Sequence, residues 1–490
     1  MTLSKFRIAD TLSALQVLCT KLHAHLPYIY LLYALPAITL ATWITPPFHV
    51  ADEPHHFCRA EQISRGEIVA LFYTDGSKEP RTIPDEKVLM RDIGGFTVNA
   101  RLLDFSTIYM SIGPGEKPKV RRTHFENSKN IHWDREIGVL RFANTAIYPP
   151  TGYLVSAIVI IAGKLTNASI LNTFYLARFV NGLVCALICF YALRLTKASR
   201  LLLFTVLLFP MTTSLFASVS QDGILISLAF LFFAIIGHVE SSEEKHYNTK
   251  QLIMMVTAIV AISAARPPYF MFSFIFFFLH MNNTTRLTCF LASLAPVVLW
   301  GWLNEHNYAV VWAPPVLKIN APLQIKHILD DPLGFAGLFF KFDSTHLTRT
   351  THEFIGVLGW KQLYLPDAFY RGALFSLLFA AAISTYYNVR ERLRLRLRLA
   401  LIGAAIAGGI AIMTVQYITW TALEATYLGG EQGRYFIPLF PAVALALAGF
   451  QKNIAIKKWH TPLFLGVIIF PFISNVVLVC QLIEGYYLTA

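Results

Sequence analysis

Apolar runs close to the length of a bilayer crossing recur along most of this chain, and they narrow its folding options more than any other feature. A backbone inside hydrocarbon has no water to satisfy its N–H and C=O groups, and a helix satisfies them within each run. Charge points the same way. Of the 490 residues 55% are hydrophobic and only 14% are Asp, Glu, Lys or Arg, too few to cover a soluble protein of this size. The chain reads as an all-α polytopic membrane protein.

The net charge of +12 fits that reading. Basic residues gather at Lys5/Arg7/Lys21, Arg194/Lys197/Arg200, Lys245/Lys250, Arg286, Arg390 to Arg398 and Lys452/Lys457/Lys458. Positively charged loops stay in the cytoplasm and rest on anionic headgroups, so the charge calls for no nucleic-acid partner. Placing these clusters inside predicts about eleven crossings, at 27–45, 171–194, 200–217, 223–239, 251–264, 267–281, 287–304, 372–389, 399–421, 435–450 and 461–484. The N-terminus is then cytoplasmic and the C-terminus outside. Residues 1–26 read as a cytoplasmic amphipathic lead-in, with no cleavage site after the first apolar run. The run from Tyr148–Pro149–Pro150 to Lys164 is short, and counting it as a span would put Arg194–Arg200 outside. It reads as a helix at the outer interface. The chain divides into that lead-in, a transmembrane module over 27–304 that includes a first external loop at 46–170, a second external loop at 305–371, and C-terminal helices over 372–490. The six cysteines, Cys19, Cys58, Cys185, Cys189, Cys289 and Cys480, form no disulfide framework or zinc spacing.

Chemistry concentrates at the outer ends of the spans. Asp52 and Glu53 follow the first apolar run directly, where carboxylates are costly and functional by default. A helix starting after Pro54 would make Asp52 an N-cap, which is the structural alternative. The neighbouring His55 and His56 do not share a helix face as an i, i+4 metal pair would, so interface or substrate contacts fit them better than ligation. Asp222, in the turn Ser218–Gly223, can cap the following helix or join Asp52 at one cavity. Arg266 and Arg434 lie outside, against the positive-inside trend, where a guanidinium can snorkel or hold a phosphate in a bidentate fork. Glycines flank Arg434 and allow close backbone approach. No Gly-rich nucleotide loop and no G-x-S-x-G nucleophile motif is present.

The segments Asp52–Glu53–Pro54, Tyr148–Pro149–Pro150–Thr151–Gly152–Tyr153, Ala177–Arg178, Gln221–Asp222, Phe354 to Trp360 and Gly433–Arg434–Tyr435–Phe436–Ile437–Pro438 resemble, in that order, a bacterial family of polytopic membrane proteins. That family is similar to the GT-C glycosyltransferases, which include protein mannosyltransferases and the lipid A aminoarabinose transferase. The resemblance covers nearly the whole chain. It implies a GT-C-like fold in the bacterial inner membrane with the active site on the outer face. Asp52 would be the catalytic base, Glu53 would support it or bind the donor phosphate, and Asp222 would be a second acidic position. Arg434, Arg266, His56, Tyr148, Arg178 and Trp360 would bind substrate. Tyr148 stands where the GT-C enzymes usually carry His or Glu.

The implied reaction moves a sugar, with inversion, from a polyprenyl-phosphate donor to a glycan or lipid acceptor. Asp52 would deprotonate the acceptor hydroxyl, and Arg434 would stabilise the departing phosphate. The resemblance fixes no cofactor, and a divalent metal is compatible with it. Two alternatives use the same cavity: a transporter or flippase component for lipid-linked sugars, and a scaffold that binds them without turnover.

Overall fold

The computed structural model describes residues 2–70, 72–73, 95–112, 119–197, 199–304, 319–341, 343–387, 393–448 and 460–488. The basic stretches at 388–392 and 452–458 lie outside the described residues, as does the start of the second external loop at 305–318.

Among the described residues, seven helices are long and apolar enough to cross a membrane: Lys21–Ile44, Ile170–Leu195, Asp222–Glu240, Asn283–Leu303, Asp367–Ser384, Leu395–Trp420 and Thr461–Tyr486. The other four expected crossings are shorter or broken. Pro210 divides 200–217 into Arg200–Leu207 and Pro210–Phe216, because proline lacks an N–H and disfavours helix at the residue before it. Thr249–Ala265 stops at Arg266 because Pro267 and Pro268 follow, and Pro267–Phe278 continues as a 3-10 helix. The last of the four begins as a 3-10 turn, Gly433–Leu439, and becomes α-helical over Phe440–Leu447. The expected lead-in and the first span are one continuous helix, Thr2–Ile44. Leu154–Leu165, opened by a 3-10 turn at Pro150–Gly152, has 12 residues. At 1.5 Å per residue it covers roughly 18 Å, too little for a crossing.

The fold departs from all-α in the regions between the first two long spans and before Asp367–Ser384. Strands Phe72–Tyr73, Gly95–Asn99 and Ile137–Leu140 form an antiparallel sheet in that order, with Phe96 opposite Leu140 and Val98 opposite Gly138. A second, two-stranded sheet pairs Val357–Leu358 with Leu363–Tyr364. The three-stranded sheet and helix Glu53–Ser64 share a core of Phe48, Phe57, Phe96, Phe105, Phe142 and Phe174. Glu61 fixes this layer. Fully buried, it accepts from Lys164 Nζ at 2.8 Å, Arg65 Nε at 3.0 Å and the Asn99 backbone N–H at 3.2 Å.

Before the Asp367–Ser384 span three helices follow one another: Ala321–Asp330, Pro332–Leu338 and Ser344–Ile355. Each begins at a side-chain cap. Asn320, Asp331 and Asp343 accept from the backbone N–H of Leu323, Gly334 and His346. Leu338 packs against Tyr417 and Leu428, which seats this region on the C-terminal end of the Leu395–Trp420 span.

Candidate functional site

The site is built where the first span ends. Arg178, fully buried, donates to the carbonyls of Thr42, Thr45 and Pro46 at 3.1, 2.6 and 2.9 Å, which satisfies C-terminal acceptors that a helix leaves unpaired. Its remaining hydrogens grip Glu53 in a bidentate pair, Nε to Oε1 at 2.8 Å and an NH2 to Oε2 at 2.5 Å. Glu53 also accepts from the Val219 N–H at 3.2 Å. Both side chains are closed to solvent. Glu53 and Arg178 thus form a strut between the first span, the Glu53–Ser64 helix and the turn before Asp222. Neither lines the cavity described next.

The strut leaves Asp52 in a left-handed turn, φ 63°, with no capping hydrogen bond. The capping alternative therefore fails, because the carboxylate points elsewhere. Its Oδ2 accepts from Arg434 at 2.5 Å, and its side chain is 31% exposed. Arg434 is buried and its Nε lies 3.5 Å from Asp222 Oδ2. Asp222 is the first helical residue, not the cap, and its Oδ1 accepts from Arg266 at 2.6 Å. Arg266 stacks on the Tyr435 ring at 3.9 Å. Four residues from four separate segments thus alternate in charge as Asp52, Arg434, Asp222 and Arg266.

Hydrogen-bonding capacity remains unused in this string. Nε of Arg434, Oδ2 of Asp222 and Nε of Arg266 are buried and have no hydrogen-bond partner among the described residues. Unmade bonds on buried polar groups are costly, and a bound ligand is one way they are met.

A cavity of about 550 Å³ opens beside the string. Its polar wall carries Asp52, His56, Tyr148, Arg266 and Lys361, and its apolar wall is made of span ends, including Pro267, Ile412, Val415 and Trp420. The His56 ring lies parallel to Tyr148, centroids 6.3 Å apart, and its Nδ1 is 2.6 Å from the Tyr153 hydroxyl. Burial pushes the His56 imidazole down to about 4, against the pull of Asp222 and Asp52, so the ring is neutral at physiological pH. Burial alone would raise the Asp52 carboxyl, but Arg434, His56 and His55 outweigh it and hold it below the usual carboxylate range. Among the described residues, no group of three or more His, Cys, Asp or Glu side chains is placed to hold a metal ion.

Residues 37–443 match the family described as "Predicted membrane protein (DUF2142)". The chain belongs to that family. No curated protein and no solved structure matches it. The matched region of this DUF2142 member contains the whole site, from Asp52 to Arg434.

Of the expected site residues, Asp52, His56, Tyr148 and Arg266 line the cavity, and Asp222 and Arg434 stand behind it in the charge string. Trp360 does not line it. Its indole donates to the Phe48 carbonyl at 2.9 Å and ties the segment after helix Ser344–Ile355 to the turn after the first span. Sequence reasoning missed Lys361, which reaches the cavity, and Glu353, which accepts from the Gly433 N–H at 2.8 Å beside Arg434. Only the length of chain separating Glu353 from Gly433 hid that link, since each is ordinary in its own segment.

Proposed function

We propose that this chain is a GT-C-like glycosyltransferase that moves a sugar from a polyprenyl-phosphate donor to a hydroxyl of a glycan or lipid acceptor. The observation that carries the reading is the pairing of a partly exposed carboxylate with a buried guanidinium at the wall of a cavity that is polar on one side and apolar on the other. A lipid-linked sugar has those two halves. Its phosphate and sugar suit the Asp52–Arg434–Asp222–Arg266 wall, and its hydrocarbon suits the span ends.

In this reaction the acceptor oxygen forms a bond to the anomeric carbon as the bond from that carbon to the phosphate oxygen breaks. The acceptor proton passes to Asp52, and the leaving electron pair stays on the phosphate, facing Arg434 and Arg266. While Arg434 holds Asp52 the carboxylate is a weak base. A phosphate that draws Arg434 to itself removes that partner and strengthens the base when substrate is bound.

We place the cavity at the outer face of the bacterial inner membrane, with the N-terminus cytoplasmic. On this reading Arg200–Phe216, Thr249–Ala265, Pro267–Phe278 and Gly433–Leu447 complete eleven crossings. Supporting it, Arg200 donates to the His23 carbonyl, so the basic ends of two segments meet away from the cavity.

The test is genetic and chemical. A deletion strain is complemented with wild type, Asp52→Asn or Arg434→Ala at matched protein level, and surface glycans and lipid-linked sugars are profiled by mass spectrometry. Both variants are expected to accumulate a polyprenyl-phosphate sugar and to lose one sugar from a glycan. A normal profile with Asp52→Asn refutes catalysis by this site and leaves transport or binding of the same lipid as the alternative.

A further inference from the structure

Lys361 lines the main cavity and also the small recess beside it that Arg434 lines. Its backbone is left-handed, φ 69°, directly after Trp360 and close to Gly359, whose φ is 67°. A lysine adopts that conformation at a cost, so the surrounding structure must impose it. One contact bears on it: the neighbouring Trp360 donates to the Phe48 carbonyl at 2.9 Å, and Gly359 packs so closely on Gln362 and the Tyr486 hydroxyl that it has no room for a side chain.

The turn is anchored at Trp360, and Lys361 beside it reaches the cavity wall. Glu353, buried, stands 3.3 Å from Lys361 Nζ through Oε1, while its Oε2 accepts from Gly433 N–H. One carboxylate thus fixes both the ammonium and the backbone that presents Arg434. The ammonium has three N–H donors, and Glu353 engages one side of it. Arg434 and Arg266 are committed to carboxylates and are 4% and 14% exposed, whereas the Lys361 side chain is 38% exposed. It is the most accessible of these three cations.

We propose that Lys361 is an anion-contacting residue of this cavity, reaching the phosphate of a lipid-borne headgroup, and that Glu353 is its positioning residue. This rests on the reading above that the cavity takes an anionic lipid.

Binding is measured on the full-length protein in detergent by tryptophan fluorescence, since Trp420 lines the cavity. The probes are farnesyl phosphate, farnesol and methyl phosphate. Wild type is expected to bind farnesyl phosphate more tightly than either of the others. Lys361→Met should weaken farnesyl phosphate about tenfold and leave farnesol unchanged, the loss expected for one charged hydrogen bond. Lys361→Arg should recover most of it. Glu353→Gln keeps an acceptor for Gly433 and loses the charge, so it should fall between wild type and Lys361→Met. Unchanged phosphate binding in Lys361→Met, or equal loss of farnesyl phosphate and farnesol, overturns the proposal and leaves Lys361 a structural partner. Wild-type affinity in Glu353→Gln overturns the positioning role. If wild type itself does not prefer farnesyl phosphate to farnesol, the anionic-lipid reading of the cavity fails instead. Methyl phosphate binding as tightly as farnesyl phosphate makes the anion a soluble one and overturns the lipid assignment.

Discussion

Arg178→Met is the substitution that most directly separates scaffold from site. The arginine makes five hydrogen bonds, two to Glu53 and three to carbonyls at the end of the first span. Methionine fills much of the same volume but leaves those carbonyls without donors and Glu53 buried without a counter-charge. Breaking a buried pair by removing one partner costs about 3–5 kcal/mol. The lost carbonyl bonds act in the same direction, so the upper part of that range is expected. The assay is unfolding of purified protein in mild detergent by SDS titration. A double-mutant cycle with Glu53→Gln isolates the pair, because the neutral amide removes the orphaned charge and should return about 2 kcal/mol or more. Arg434→Met, which breaks a pair one-third exposed at Asp52, should cost far less stability while abolishing function. If Arg178→Met unfolds at the wild-type point, or the cycle shows no coupling, the strut assignment is wrong and both residues return to the list of candidates for chemistry.

Three further outcomes follow from the same geometry. Asp52→Asn should abolish glycan transfer yet melt within a few degrees of wild type, measured by complementation and thermal unfolding. Gly433→Ala should cost about 1–3 kcal/mol and displace Arg434, because the new Cβ meets the Thr350 carbonyl oxygen and lies 2.5 Å from the Phe354 backbone nitrogen. Burial depresses both His49 and His56 to about 4, so each native ring stays neutral while the unfolded one protonates below about 6.5. Stability is therefore full above that value and falls as pH drops towards 4, by about 2 kcal/mol per ring at pH 5. Melts at pH 7.5 and 5 should show the fall, and His56→Gln should lessen it. The stability tied to Asp52 is lost as pH falls from the ordinary carboxylate range of about 4 through its lowered value, below that window.

How much of this was legible in the sequence depends on the range of the interaction involved. The long spans announced themselves because each is a local property of some twenty residues. Interrupted segments were harder: hydropathy counts Arg200–Phe216 as one run, while Pro210 divides it, and it cannot see that Pro267–Phe278 winds as a 3-10 helix. The strands escaped because they are short: Gly95–Asn99, the longest among the described residues, has five residues, too few for its alternation of Phe96 and Val98 with Thr97 and Asn99 to stand out. Asp52, Asp222, Arg266 and Arg434 could be picked out singly, as charges in places where charge is costly. Their order along one ion-pair string could not. Glu53 shows the limit most clearly: adjacent to Asp52 and identical in charge class, it turns to the opposite side of the chain and is used up by Arg178.

The same string bears on how an anion would be admitted. Arg434 and Arg266 are balanced by Asp52 and Asp222, and Lys361 by Glu353, so the cluster carries as many carboxylates as cations. A phosphate entering it cannot simply add to a positive field; it must compete with a carboxylate already in contact. Asp222 and Glu353 are 7% and 5% exposed and each has a second contact, through Arg266 and the Gly433 N–H. Asp52 is the most exposed of the three carboxylates, held by one arginine in a turn that is itself left-handed. It is the partner whose displacement costs least. On the proposed reading, the bond the donor breaks on entry is therefore the one that keeps the base weak, and the carboxylate it releases faces the cavity where the acceptor must lie.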